Sequence, residues 1–236
     1  MTLPAEVLSY LETVACKYSK NIQLLPKNSS ELMKAIGWFF GITKISPQFM
    51  ERYYTTIGET IYAPDTALEN PVAENLVRTV AHEAVHISDS NKLTGPLFKF
   101  LYLFPQSMAS LALISLLAPL SLKFLWCLLF LLCLAPIPAP FRYWFELRAY
   151  RMQILFSRKE DKLTDEQMVA VYEWIEKQMC TSLYYWTWPF PKTVRKHLQD
   201  ESWIGTGIYK DTLKWIVVRK VVAALKEAKD YTDNPS

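Results

Sequence analysis

At 236 residues the chain is long enough to bury a core, and its 51% hydrophobic and 14% aromatic content is high for a freely soluble domain. A net charge of +3 is too small to argue for nucleic acid as a partner. Cys16, Cys127, Cys133 and Cys180 are scattered, two of them in apolar runs, which speaks against a disulfide framework and against a cysteine metal site.

In chain order, residues 3–18 are expected to form a helix, residues 21–25 a short strand, and residues 30–39 a helix with Ser30 near its start. Residues 53–64 are rich in β-branched and aromatic side chains around Gly58 and close on Pro64, a strand or hairpin signal. A helix then opens at Asn70 as N-cap with Pro71 in its first position, and Glu74 complements the helix dipole. Apolar residues recur at Val72, Leu76, Val77, Val80, Ala84 and Val85, close to the 3.6-residue period of a helix packed on a core.

That helix carries His82-Glu83-Ala84-Val85-His86, the H-E-x-x-H arrangement of a zinc hydrolase. Residues four apart share a helical face, so His82 and His86 can each give a nitrogen to one tetrahedral metal. Glu83 is rotated by about 100° from the first histidine, where it reaches a water on the metal rather than the metal itself. The bland alternative is an amphipathic helix whose histidines pack or are solvated. Asp89, three residues after His86, supports a histidine ligand through its second nitrogen or is a plain solvent-facing carboxylate.

No charge occurs over residues 100–122 or 124–141, with Lys123 alone between them. Each run is near the length of about 17 to 20 residues that crosses a bilayer as a helix. Pro119 and Lys123 mark the turn, so two membrane spans, or a shallow hairpin broken early by Pro136, Pro138 and Pro140, are expected. A buried soluble core is the alternative. The first residues lack a signal-peptide layout, so insertion is expected to use this internal element.

Phe98, Tyr102 and Phe104 before the runs, and Phe141, Tyr143 and Trp144 after them, suit the headgroup interface. Lys92, Lys99, Arg142, Arg148 and Arg151 cluster at those ends, which by the positive-inside rule puts the catalytic side in the cytoplasm.

A catalytic zinc normally has three protein ligands. The candidates for the third are Glu146, Asp89 and His197; Glu146 lies in a strongly helical stretch and is followed three residues later by the small Ala149. Its alternative is a surface glutamate paired with Arg142 or Arg148. Thr164-Asp165-Glu166-Gln167 reads as a capping box opening a helix to about Cys180. The aromatic cluster of residues 183–191 suits a membrane interface or a cleft lining, and Tyr184 or Tyr185 is a candidate oxyanion donor. His197 is a candidate ligand or oxyanion donor in an otherwise basic segment. Gly205 and Gly207 mark a turn before a last helix over residues 209–229, whose Lys214, Arg219, Lys220 and Lys226 meet anionic headgroups or simply water.

With the H-E-x-x-H helix followed by a glutamate helix, the chain resembles the gluzincin class of metallopeptidases, in which a second-helix glutamate completes the site and a small residue lets the two helices approach; the resemblance favours Glu146, with Ala149, as the third ligand. An apolar helix pair between the two is also the arrangement of the HtpX-type membrane metallopeptidases, and the resemblance covers roughly residues 50 to 155. Two departures stand out: this sequence has no pair of spans before the motif, and Tyr150 stands where that family places an aspartate. The resemblance implies a small zincin-like α+β domain, mainly helical, with an inserted hydrophobic helical hairpin.

The corresponding division is residues 1–98, 99–140 and 141–236. The expected cofactor is Zn2+, on His82, His86 and Glu146, with Glu83 and His197 as catalytic residues and a peptide or protein substrate bound along the strand before the metal helix. A lipid membrane is the other expected partner. A non-catalytic, membrane-associated binding or scaffold protein is the competing reading, and hydrolysis of a non-peptide substrate is a third.

Overall fold

The computed structural model describes residues 3–44, 48–69, 72–181 and 187–233. It is mainly helical with one small sheet, the α+β class the sequence implies. The chain divides into two compact units, each discontinuous in sequence. One comprises Met1–Ser88, Leu155–Lys162 and Ser202–Ser236, and the other Asp89–Ile154 and Leu163–Glu201.

In the first unit, α1 (Ala5–Thr13) is shorter than expected and gives way to a 3-10 turn, Ala15–Lys17. Consecutive β-branched residues, Thr13 and Val14, stand at the break, and the Thr13 hydroxyl bonds back to the Ser9 carbonyl in competition with the helix. The strand β1 (Gln23–Pro26) follows, then α2 (Glu31–Thr43), capped as expected by the Ser30 side chain, which accepts from the Met33 amide at 3.4 Å. A short α3 (Phe49–Arg52) leads to the hairpin β2 (Thr55–Ile57) and β3 (Thr60–Ala63). Gly58 takes a φ of 64° at the turn, the left-handed region where a side chain is strained.

The sheet order is β1-β3-β2, so β3 is central, parallel to β1 with Leu24 opposite Ile61 and antiparallel to β2 with Thr56 opposite Ile61. That order leaves β2 at an edge. After α4 (Asp65–Glu69) comes α5 (Ala73–Leu93), where Leu76, Val77, Val80, Ala84 and Val85 are buried, as the period of the sequence requires, whereas Val72, expected on the same face, precedes the helix and is 60% exposed. The expected Asn70 and Pro71 start lies outside the described residues.

The last helix, α10 (Gly207–Asp233), is fastened to α1 by polar contacts between otherwise buried aromatics. Tyr10 Oη and Thr212 Oγ1 are 3.1 Å apart, Trp215 Nε1 donates to Ser9 Oγ at 3.0 Å, and the Tyr10 and Trp215 rings meet edge to face at 5.3 Å. Arg219 pairs with Glu160, and Lys220 donates to the carbonyls of Lys159 and Glu160, so two of the basic residues expected at headgroups or in water are half-exposed and also bonded within the chain.

In the second unit, α6 (Gly95–Tyr102) precedes the apolar region. The two expected α-helical spans take another form there: two 3-10 helices, Gln106–Leu117 and Leu122–Leu134, packed against one another. Among the described residues no single helix is long and apolar enough to cross a membrane. The pair α6 and Gln106–Leu117 passes that test together, bent by 97° at their break. Pro105 stands at the break, where it removes a backbone donor.

These 3-10 helices bury almost nothing: only Ala112 is buried, while Leu116 is 74%, Leu122 77% and Trp126 73% exposed. The buried soluble core considered for this region is therefore not what the chain forms. The unit's core comes from α7 (Pro140–Lys159), α8 (Asp165–Cys180) and α9 (Pro191–Gln199), through Tyr143, Leu147, Met152, Met168, Tyr172, Ile175, Met179, Val194 and Leu198. An Arg195–Glu176 ion pair ties α9 to α8.

The capping box is present in full: the Thr164 hydroxyl accepts from the Gln167 amide at 3.3 Å, and Gln167 Oε1 accepts from the Thr164 amide at 2.9 Å. Thr164→Ala is expected to lower unfolding free energy by about 1 kcal/mol in urea melts. An unchanged midpoint would mean that water replaces the cap without loss.

Candidate metal centre

Every residue of α5 from Val80 to Ser90 is buried, so both histidines lie inside although their side of the helix is opposite Val80 and Ala84. His82 and His86 are 5% and 7% exposed, with ring centroids 5.2 Å apart. Glu83 is buried beside them, and its Oε2 accepts a hydrogen bond of 2.6 Å from Thr56 Oγ1 on the edge strand β2. Burial pushes the Glu83 carboxyl up to about 7, against the opposing effects of the Thr56 hydrogen bond and the Lys27 charge.

Lys27 is itself buried. Its ammonium donates to the Phe49 carbonyl at 2.6 Å and lies 3.4 Å from the centre of the Phe49 ring, a cation–π contact. Desolvation draws its pKa down to about 8, while the Glu83 charge resists the shift.

On α7, Glu146 is fully buried, which removes the surface-glutamate reading. Its Oε1 accepts a hydrogen bond from the Tyr102 hydroxyl. His82, His86 and Glu146 each offer one ligand atom, and these atoms all lie within 4.8 Å of one another. Tetrahedral ligands about 2.1 Å from one ion stand roughly 3.4 Å apart, so the group is somewhat wider than a closed tetrahedral site. Two imidazole nitrogens and one carboxylate oxygen suit zinc, and also other first-row divalent metals. The buried group can hold a metal ion.

The remaining candidates are placed differently. Asp89 is 2% exposed, which overturns its solvent-facing reading, and its Oδ1 lies 3.0 Å from Arg148. Burial raises its pKa, with the Arg148 and Lys92 charges opposing. His197 is half-buried and is not a member of the group that comes together: its Nδ1 is 2.5 Å from Tyr143 Oη, its ring stacks on Trp144 at 5.1 Å, and its carbonyl accepts from Arg151 at 3.1 Å. Tyr150 is buried and meets Trp174 edge to face. Tyr184 and Tyr185 lie outside the described residues.

Thr56, Lys27 and the hydroxyl of Tyr102 are the polar groups around Glu83 and Glu146 that sequence reasoning missed. Thr56 lay inside a recognised strand signal and Tyr102 among aromatics assigned to the interface, but local pattern holds no trace of the partner each one meets. Lys27 had one weak sign, a lone cation between β1 and the start of α2.

No family model matches the chain, and no curated protein or solved structure matches it.

With its folded-state pKa near 8 and the usual lysine value of 10.5, Lys27 is protonated more in the unfolded chain than in the folded one between those two values. Its contribution to stability therefore rises with pH across that window and is lost on going below it. Urea melts over the same window are expected to show a shallower rise for Lys27→Met than for the wild type. Identical slopes would assign the ordinary lysine value to Lys27.

Proposed function

We propose that this chain is a membrane-associated, zinc-dependent metallopeptidase. The observation that carries the reading is the convergence of His82, His86 and Glu146 in a buried group, with the Glu83 carboxylate in the sequence position that H-E-x-x-H chemistry gives to the general base. Zinc held by those three side chains would lower the pKa of a water molecule and polarise a substrate carbonyl.

Glu83 handles the proton. With Oε2 occupied by the Thr56 hydroxyl, Oε1 takes the proton released as water attacks and delivers it to the leaving amine. Thr56 fixes the carboxylate plane, and Lys27 favours its ionised form. The strand that supplies Thr56 is also the sheet edge, where an extended peptide can add as a further strand through backbone hydrogen bonds. One short strand thus orients both the base and the substrate. The resemblance to gluzincins stated from the sequence agrees with this assignment of roles.

The exposed apolar 3-10 helices support the membrane part of the proposal. A soluble monomer seldom shows so large a continuous apolar surface, and lipid is the partner that such a surface suits without requiring polar complementarity. The proposed topology keeps the metal ligands on the cytoplasmic side.

The purified chain is expected to carry stoichiometric zinc, and Glu83→Gln to retain it while losing peptide hydrolysis by at least about a hundredfold. Metal analysis and a peptide cleavage assay on the same preparations check both. A chain without bound metal would sink the enzymatic reading in favour of a scaffold. Turnover in a zinc-loaded Gln variant would remove Glu83 from the mechanism.

A further inference from the structure

Tyr102 is the last residue of α6, at the point where the path into the apolar region bends. Its hydroxyl donates to Glu146 Oε1, while the rest of the residue is held from several sides. Arg142 Nε donates to the Tyr102 carbonyl at 3.0 Å, the Arg142 guanidinium carbon lies 5.5 Å from the Tyr102 ring centre, and Phe98 and Phe145 flank that ring at 5.7 and 6.4 Å. Arg142 also donates to Gln106 Oε1 at 3.2 Å, and Gln106 is the first residue of the 3-10 helix beyond the bend. Arg142 and Glu146 are one turn apart on α7, so a single helical face holds both sides of the bend and the candidate ligand.

From this arrangement we infer that Tyr102 is a positioning residue for Glu146 and that it ties metal affinity to the set of the apolar segment. A carboxylate that accepts a phenolic hydrogen at one oxygen serves a cation through the other, so the hydrogen bond selects single-oxygen ligation and fixes the direction of the ligand atom. Such outer hydrogen bonds to ligands typically change metal affinity by about 10- to 100-fold. Because the hydroxyl is carried on the helix that leads into the apolar region, and Arg142 clasps both sides of the joint, displacement of that joint moves the donor relative to the ligand. The inference rests on the metal-site reading and adds to it a residue and a route of control.

The test measures zinc affinity of the full-length chain by chelator competition, together with the absorption spectrum of the cobalt-loaded protein. Tyr102→Phe is expected to weaken zinc about 10- to 100-fold and to alter the cobalt spectrum. Glu146→Gln should weaken zinc further, and adding Tyr102→Phe to it should have no additional effect, since the hydrogen bond acts only through that carboxylate. Arg142→Gln should weaken zinc in the same direction, and less than additively with Tyr102→Phe.

A lower melting temperature of Tyr102→Phe with unchanged zinc affinity and spectrum would reduce Tyr102 to a packing residue and overturn the inference. Additive effects of Arg142→Gln and Tyr102→Phe would overturn control through the joint. If the wild type and Glu146→Gln bound zinc equally, Glu146 would not be a ligand. The metal-site reading would then fail first, a result distinct from a normal Glu146 effect with a silent Tyr102→Phe.

Discussion

The constraint on which the rest depends is the burial of a carboxylate. Glu146 is fully out of water, and an ionised carboxylate costs several kcal/mol to desolvate unless hydrogen bonds or a cation offset the penalty. The Tyr102 hydroxyl supplies one compensating contact, and the two imidazoles gathered near the same carboxylate provide the donors with which it can share a cation. A metal bound by the folded chain and not by the unfolded one would add its binding free energy to stability, so the site and the fold would reinforce each other. The same logic applies on a smaller scale to Asp89, which is buried against Arg148 where an unpaired carboxylate would be costly.

The readings taken from the sequence succeeded where the signal is local. The 3.6-residue period of α5 required Val80, Ala84 and Val85 to face a core, and they do. The hydroxyl and amide spacing at Ser30 and Thr164 required caps, and both form. The two histidines share a side because they are four residues apart, but that side lies about 200° round from Val80 and Ala84; it is buried because α5 is enclosed all round from Val80 to Ser90, which the apolar period does not foretell. Glu146 needed more than periodicity. Its helical stretch and the small Ala149 made it a candidate, and only the tertiary structure separates a buried carboxylate from a surface ion pair.

Elsewhere composition fixes what a segment avoids without fixing its geometry. Residues 106–134 are as apolar as their sequence promised, but apolarity says nothing about whether a helix closes its bonds at i+3 or i+4. The arginines after the apolar region show a second limit. Counted as charges they suit the positive-inside rule. As donors, Arg142 holds Tyr102 and Gln106, Arg148 pairs with Asp89, and Arg151 reaches the His197 carbonyl. A charge count has no access to such pairings, since the partners lie tens of residues away and no local pattern connects them.

The electrostatics around Glu83 are those that the proposed general base would need. A general base needs to be desolvated enough to hold a proton near neutral pH, yet not so much that it stays protonated throughout. Burial alone drives the carboxyl upward, and the two opposing influences are of different kinds: a hydroxyl donor in contact at one oxygen, and a cation acting through space. The cation is kept from pairing directly, because its ammonium is directed to the Phe49 carbonyl and ring. A lysine in direct contact would form a tight ion pair and hold the carboxylate too weakly basic to accept a proton. Held at a distance, Lys27 limits the rise in pKa without claiming the oxygen that would receive the proton in the proposed reaction.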